Sequence, residues 1–251
     1  SWERTPNPIA VQTQHLRDQG TQLLDLTESN PTQCGFDYPH EKITQALTEP
    51  RIFSYEPTAK GLLEARNAIA KYYLECHKVR ILPEDLLLTA STSEAYHYLF
   101  RLLAEPGDRI LVPKPSYPLF DYLIELADLE SIPYSMDPKP HGYTLDFDQL
   151  EKSLDRRPRA LLTVHPNNPT GSLIDPADAD RLATFCKKSG IPLIADEVFL
   201  DYASSKKAPV QSWAKKTDTL TFVLNGLSKM LGLPQLKLGW IHVGGPESVK
   251  K

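Results

Sequence analysis

Seven short apolar runs, spaced along the chain and mostly separated by polar or helical stretches, constrain this chain most. They are "LLLTA" (86–90), "RILVP" (109–113), "SIPYSM" (131–136), "RALLTVHP" (159–166), "PLIADEV" (192–198), "LTFVLNG" (220–226) and "LGWIHVG" (238–244). Most are apolar at nearly every position, the pattern of strands covered on both faces. Three intervening stretches carry helix signals. "STSEAYHYLFRLLAEPGD" (91–108) opens on hydroxyl residues, stops at Pro-Gly, and places Ala95, Leu99 and Leu102 as apolar positions. "DPADADRLATFCKKSG" (175–190) opens on Asp-Pro, closes on Lys-Lys-Ser-Gly, and carries Leu182, Phe185 and Cys186 on one face. "GLLEARNAIAKYYLECH" (61–77) is the third. Alternation of strand and helix predicts an α/β fold around a largely parallel sheet. Residues 1–40 are less regular and are expected to form an arm or part of a second layer, with one large domain over 41–251.

Several function classes drop out. Net charge is −4 with both signs scattered, which gives no footprint for nucleic acid or an anionic membrane. No apolar run reaches spanning length, and "SWERTPNP" is no signal peptide. Cys34, Cys76 and Cys186 are odd in number and far apart, so neither a disulfide framework nor a metal site is expected, and a cytoplasmic setting is the default. GxxxxGK[ST], GxGxxG and HExxH do not occur, and "GLSKM" has Met230 where a nucleophile elbow needs glycine. Both Asn-Pro-Thr triplets contain proline and cannot be glycosylated.

Parallel α/β sheets bind ligands at the carboxyl ends of their strands. The first run leads into Ser91 and Thr92 at a predicted helix start, where free N–H groups and the dipole favour an anion. Plain N-capping explains the same residues, and taken alone they favour it. The second leads into "PKPSYP", whose Tyr117 could stack on a flat ligand or simply pack. The fourth leads into "HPNNPTG", where Asn168 could meet a ligand or shape the turn. The fifth places Asp196 at the end of a core strand, where an unpaired carboxylate is costly, so a cationic partner is expected. The sixth leads into Ser228-Lys229.

Taken in order, the hydroxyl pair, the tyrosine loop, "NNPTG", "DE" and "SKMLGLPQLKLGW" resemble the large domain of fold type I pyridoxal-phosphate enzymes, the class I/II aminotransferases. The match runs over nearly the whole chain. The resemblance implies a three-layer α/β/α domain with a mostly parallel, seven-stranded sheet. It implies pyridoxal 5'-phosphate as cofactor and an amino acid and a 2-oxo acid as substrates. Lys229 would be the Schiff-base lysine and the base that moves the substrate α-proton. Asp196 would pair with the pyridinium nitrogen, Asn168 would bond the ring's 3′ oxygen, and Tyr117 would stack on the ring. Ser91, Thr92, Ser228 and Lys237 would hold the phosphate region. Tyr55, in "SYEPTAKG", would reach the neighbouring subunit's site in a homodimer. Ser29 and Asn30, in "LTESNPT", would lie near the substrate. In related enzymes the bonds corresponding to Lys114-Pro115 and Asn168-Pro169 are often cis, so at least one is expected to be cis here.

Three departures from the family pattern stand out. Phe199 replaces the usual tyrosine three positions after the buried aspartate. Lys237 replaces an arginine eight positions after the lysine, keeping the charge and losing the bidentate fork. Gly226 replaces a common serine or threonine. Family members also continue into a small domain whose arginine grips the substrate carboxylate. That domain is absent from these 251 residues, so the chain is expected to be either a piece of a competent parent or a departure from the family. A lyase or decarboxylase on the same scaffold, or a cofactor-binding protein without turnover, are the alternatives.

Overall fold

A computed structural model describes residues 6–24, 30–139, 142–203, 210–216 and 218–250. It divides into two compact units, Ser1–Asp37 and Tyr38–Lys251. In the first, helix α1 (Pro8–Asp18) begins where the Asn7 side chain accepts from Ile9 N and Pro8 supplies the fixed φ of a first helical turn. Ser29 lies outside the described residues.

The second unit contains helices α2 (His40–Leu47), α3 (Leu63–His77), α4 (Thr92–Leu103), α5 (Leu119–Leu126), α6 (Phe147–Ser153), α7 (Pro176–Ser189) and α8 (Leu227–Met230). Its strands are β1 (Leu86–Thr89), β2 (Arg109–Lys114), β3 (Glu130–Lys139), β4 (Gly142–Leu145), β5 (Pro158–Val164), β6 (Leu193–Asp196), β7 (Thr221–Gly226) and β8 (Gly239–Gly244). They form one sheet in the order β1-β8-β7-β6-β5-β2-β3-β4. Pairings from β7 through β6, β5 and β2 to β3 are parallel, while β8 and β4 run antiparallel to their neighbours. The seven apolar runs are seven of these strands. The described sheet has an eighth, because β3 runs on to Lys139 and pairs with β4 as a hairpin at the edge.

Successive residues of the central strands enter opposite cores. Leu111, Leu161 and Val223 join one, with Ile69 and Tyr73 of α3, Phe147 and Leu150 of α6, and Leu182 and Phe185 of α7. Ile110, Val112, Leu162 and Leu224 join the other, with Tyr96 and Phe100 of α4 and Phe120 and Ile124 of α5. The three layers follow from that alternation. Truncating a fully buried residue such as Leu161 to Ala should cost about 2–5 kcal/mol.

The helix ends follow local chemistry. Asp175 caps α7 by accepting from Asp178 N at 2.9 Å, and Gly190 closes it at φ 70°. In α4, Ala95 and Leu99 are buried as expected, but Leu102 is 70% exposed and Tyr96 and Phe100 take the core instead. The reason is the width of the buried stripe, which includes i+1 neighbours that a spacing of three or four passes over.

Candidate functional site

The direction of chain progression across the sheet reverses between β2 and β5. From β2 the chain steps outward to β3, and from β5 it steps the other way to β6 and β7. Ligands of open α/β sheets settle beside the strand ends at such a point. The exits of β2 and β5 are tied together there: Asn167 Nδ2 donates to the Pro115 carbonyl at 3.3 Å and to Thr170 Oγ1 at 2.9 Å. Lys114-Pro115 and Asn168-Pro169 are both cis, as is His165-Pro166.

Asp196 ends β6. It is 6% exposed, with Oδ2 accepting from Tyr96 Oη at 2.6 Å and Oδ1 from Val198 N at 3.0 Å. Burial raises its carboxyl above the ordinary range, against the pull of those two donors. The cationic partner expected from the sequence is not found among the described residues; the donors are a tyrosine and an amide. The next residue, Glu197, is fully buried and accepts from Ser212 Oγ at 2.7 Å and from Trp213 N. Burial pushes its carboxyl up to about 8.

One helix serves two of these points. Ser91 caps α4, its Oγ accepting from Glu94 N at 3.1 Å, while Tyr96 lies just over one turn further on. The N–H groups of Thr92 and Ser93, at the helix start, have no intrahelical carbonyl to meet. Strand β8 passes close by at Gly239, where a Cβ would lie 3.0 Å from the Ser91 backbone and 3.2 Å from Thr92 N. Tyr117 stands edge-on to Phe120 at 5.6 Å, and Phe120 edge-on to Tyr96 at 5.2 Å, so these rings connect the β2 exit to Asp196.

Strand β7 hands over to α8 at Gly226. A side chain there would meet the Leu238 carbonyl at 2.8 Å, which leaves no room for the hydroxyl residue usual in the family pattern. Lys229, in α8, has Nζ 5.8 Å from the centre of the Phe199 ring, and its carbonyl accepts from Tyr202 Oη at 2.9 Å. The structure thus brings Lys229 near Phe199 on the adjacent exits of β7 and β6, and links Tyr117, after β2, to Asp196 through Phe120 and Tyr96. Lys237 closes a short turn at φ 52° and is exposed. Tyr55 is 90% exposed. Asn30 accepts from Thr32 N and Oγ1 through its side chain. Sequence reading missed Tyr96, Tyr202 and Asn167.

The residues fit pyridoxal phosphate on structural grounds. Asp196 is a buried carboxylate with no cation beside it. Three buried polar atoms lack partners among the described residues at the same strand ends: Ser116 Oγ after β2, Asn167 Oδ1 after β5 and Asn225 Nδ2 in β7. Buried polar groups normally find partners, so such a cluster marks a place where a polar ligand belongs. A cleft of about 580 Å³ between α6 and α7, lined by Phe147, Arg181 and Phe185, contains none of the predicted residues. No cluster of three or more metal-ligating side chains occurs among the described residues.

The sequence profile for aminotransferase class I and II matches residues 21–250. The chain belongs to that family. Glutamate-pyruvate aminotransferase AlaA of Escherichia coli is 26% identical over 246 residues, which cover 97% of this chain and 60% of that protein. Alanine aminotransferase of Mycobacterium bovis is 30% identical over 246 residues, covering 96% and 56%. The alanine aminotransferase structure from Pyrococcus furiosus superposes with a TM-score of 0.85 at 28% identity, covering 96% of this chain and 61% of that one. This aminotransferase-family chain therefore spans about three fifths of the length of such relatives. Among the described residues no helix is long and apolar enough to cross a membrane.

Proposed function

We propose that this chain is the cofactor-binding part of a pyridoxal-phosphate-dependent aminotransferase that moves an amino group between an amino acid and a 2-oxo acid. The observation that carries this is Asp196, buried with no cationic partner among the described residues, on the strand next to the one that delivers Lys229. Pyridoxal phosphate, when bound, supplies an electron sink for the pair left behind when a substrate Cα–H bond breaks. Asp196 would keep a proton on the ring nitrogen, so that the ring stays cationic. Lys229 Nζ would hold the cofactor covalently and carry the proton to and from the substrate α-carbon. Asn168 would donate to the ring's 3′ oxygen, Phe199 would flank the ring, and Tyr117 would cover one face. Ser91, Thr92, Ser228 and Lys237 would take the phosphate, using the open N–H groups of α4.

The exposure of Tyr55 supports a homodimer in which it reaches the other subunit's phosphate. Three unpaired thiols support a reducing, cytoplasmic setting. Relatives named for alanine, glutamate-pyruvate and tyrosine make L-alanine, L-glutamate and L-tyrosine the first donors to try. The test is to load the protein with cofactor, add each donor and then 2-oxoglutarate, and follow the cofactor absorbance and the products. A donor-dependent change to the amine form, reversed by the oxo acid, is the expected result. Release of ammonia, or of carbon dioxide, would show a lyase or decarboxylase instead, and an unchanged spectrum with every donor would show no turnover.

A further inference from the structure

The backbone around Lys229 has little to fix it from within. Helix α8 has four residues, and helices that short do not hold themselves together in water. The last carbonyls of a helix also lack intrahelical donors. The Lys229 carbonyl accepts from Gly232 N at 3.0 Å, inside the same turn, and from Tyr202 Oη at 2.9 Å, from a segment 27 residues earlier. Tyr202 ends a 3-10 turn, Leu200–Tyr202, that grows directly from the β6 exit. Leu200 N donates to the Glu197 carbonyl at 2.9 Å and Tyr202 N to the Phe199 carbonyl at 3.0 Å.

That turn is gripped from its other side by the end of α3. Asp201 Oδ2 accepts from Tyr72 Oη at 2.7 Å, and His77 Nε2 lies 2.7 Å from the same phenolic oxygen and 3.4 Å from Asp201 Oδ1. Tyr72 has one hydroxyl proton and gives it to Asp201, so the bond with His77 requires Nε2–H as donor. Burial pushes the Asp201 carboxyl up, but the bonds from His77 and Tyr72 outweigh it and hold the group below the ordinary range. Tyr72 is raised by burial and then by Asp201. The His77 side chain is 9% exposed and packs edge-on to Tyr72, with ring centres 5.0 Å apart.

We propose that Tyr202 is a positioning residue for Lys229, and that Asp201, Tyr72 and His77 hold it in place from α3. The proposal rests on the reading of Lys229 as the cofactor-bearing lysine. The sequence His77–Tyr72–Asp201, then Tyr202, then the Lys229 carbonyl connects a helix on one face of the sheet to the amine on the β7 exit. Removing the Tyr202 hydroxyl takes away the donor that reaches the carbonyl from outside its own turn and lets α8 unwind more often, so that the amine is presented for a smaller share of the time.

The test compares Tyr202→Phe, Asp201→Asn and the double variant with wild type. Pyridoxal phosphate is added to each apo-protein, and the rate of covalent capture is followed by absorbance with borohydride trapping. The pH midpoint of the captured cofactor's absorbance is measured as well, with melting curves as a control on folding. Tyr202→Phe is expected to slow capture about threefold to tenfold and to move the midpoint by about half a unit or more. Asp201→Asn should act in the same direction and more weakly, and the double variant should be no slower than Tyr202→Phe, because Asp201 acts through Tyr202. Wild-type capture and midpoint in Tyr202→Phe, or fully additive effects in the double variant, would overturn the proposal. If Tyr202→Phe does not fold, Asp201→Asn decides alone, with wild-type capture counting against the proposal. A wild-type protein that captures no cofactor, or a Lys229→Ala variant that still does, overturns instead the assignment of Lys229, and this inference with it.

Discussion

Strands β6 and β7 run side by side in parallel, yet they end in opposite ways. β6 ends in Asp196, followed at once by Glu197; the two are 6% and 0% exposed, and each of their four carboxylate oxygens has its own donor. β7 ends in a glycine and a four-residue helix, which leaves Ser228 and Lys229 partly exposed. A carboxylate presents two oxygens in a rigid plane and can be buried against fixed neutral donors. A lysine amine sits on a flexible stem with three donors that turn with it, and burial would remove the reach that makes it useful. One exit supplies a fixed charge and the other a movable one.

The comparison fails first at Lys229 if it fails at all. Lys229→Ala should abolish borohydride-reducible cofactor completely while changing stability by no more than about 0.5 kcal/mol, as expected of a side chain outside the core. A covalent adduct that persists would break the contrast at its movable end. Acid tests the buried side. His165, whose Nδ1 accepts from Ile174 N, and His242, on β8 beside β7, are both held down at about 4 by burial. The unfolded state binds their protons from about 6.5 downward while the native state does not, so full stability is present above that pH and is lost as pH falls toward 4. Each accounts for about 3 kcal/mol across that window. Equilibrium unfolding against pH, for wild type and His242→Leu, should show a shallower acid decline in the variant.

Asp196→Asn keeps an acceptor for Tyr96 and should leave stability within about 1 kcal/mol of wild type. Turnover in the assay above should fall about a hundredfold or more, the scale seen when a preorganised electrostatic group is removed. Equal losses of fold and turnover would mean that Asp196 is only structural. Phe199→Tyr gives the smallest effect. A tyrosine hydroxyl beside the 3′ oxygen would add a donor that Phe199 cannot supply. The pH midpoint of the lysine-bound cofactor's absorbance should then fall by about one unit. An unchanged or raised midpoint would show that residue 199 faces elsewhere.

Much of this was legible in the order of residues. The strands declared themselves because burial on both faces makes "LLTV" or "FVLN" apolar at nearly every step. The family resemblance predicts at least one cis bond at Pro115 or Pro169; both are cis, and His165-Pro166, which it does not predict, is cis as well. The hairpin of β3 and β4 was not legible, because "DPKPHGYT" is polar and proline-broken and carries no period. Helix α5, "LFDYLIEL", lay between two prolines and an acidic stretch and gave no clear start signal. At the site, Asp196 announced its burial by its place after "LIA", but not its partner. Tyr96 and Tyr202 lie 100 and 27 residues from the groups they bond, and nothing local distinguishes them from tyrosines that merely pack.

The placement of β8 also has a consequence for the order of assembly. β1 pairs with β8 and with no other strand in the described sheet, and β8 alone joins it to β7. During synthesis β3, β5, β6 and β7 can pair as they emerge, each finding a neighbour already made. β1 leaves the ribosome before all of them and waits until its partners Gly239 to His242 are available. The start of α4, which Gly239 packs against, waits with it. The start of α4 is therefore among the last parts to mature, and any chain interrupted before β8 would leave β1 and one edge of β7 unpaired and open to other nascent chains.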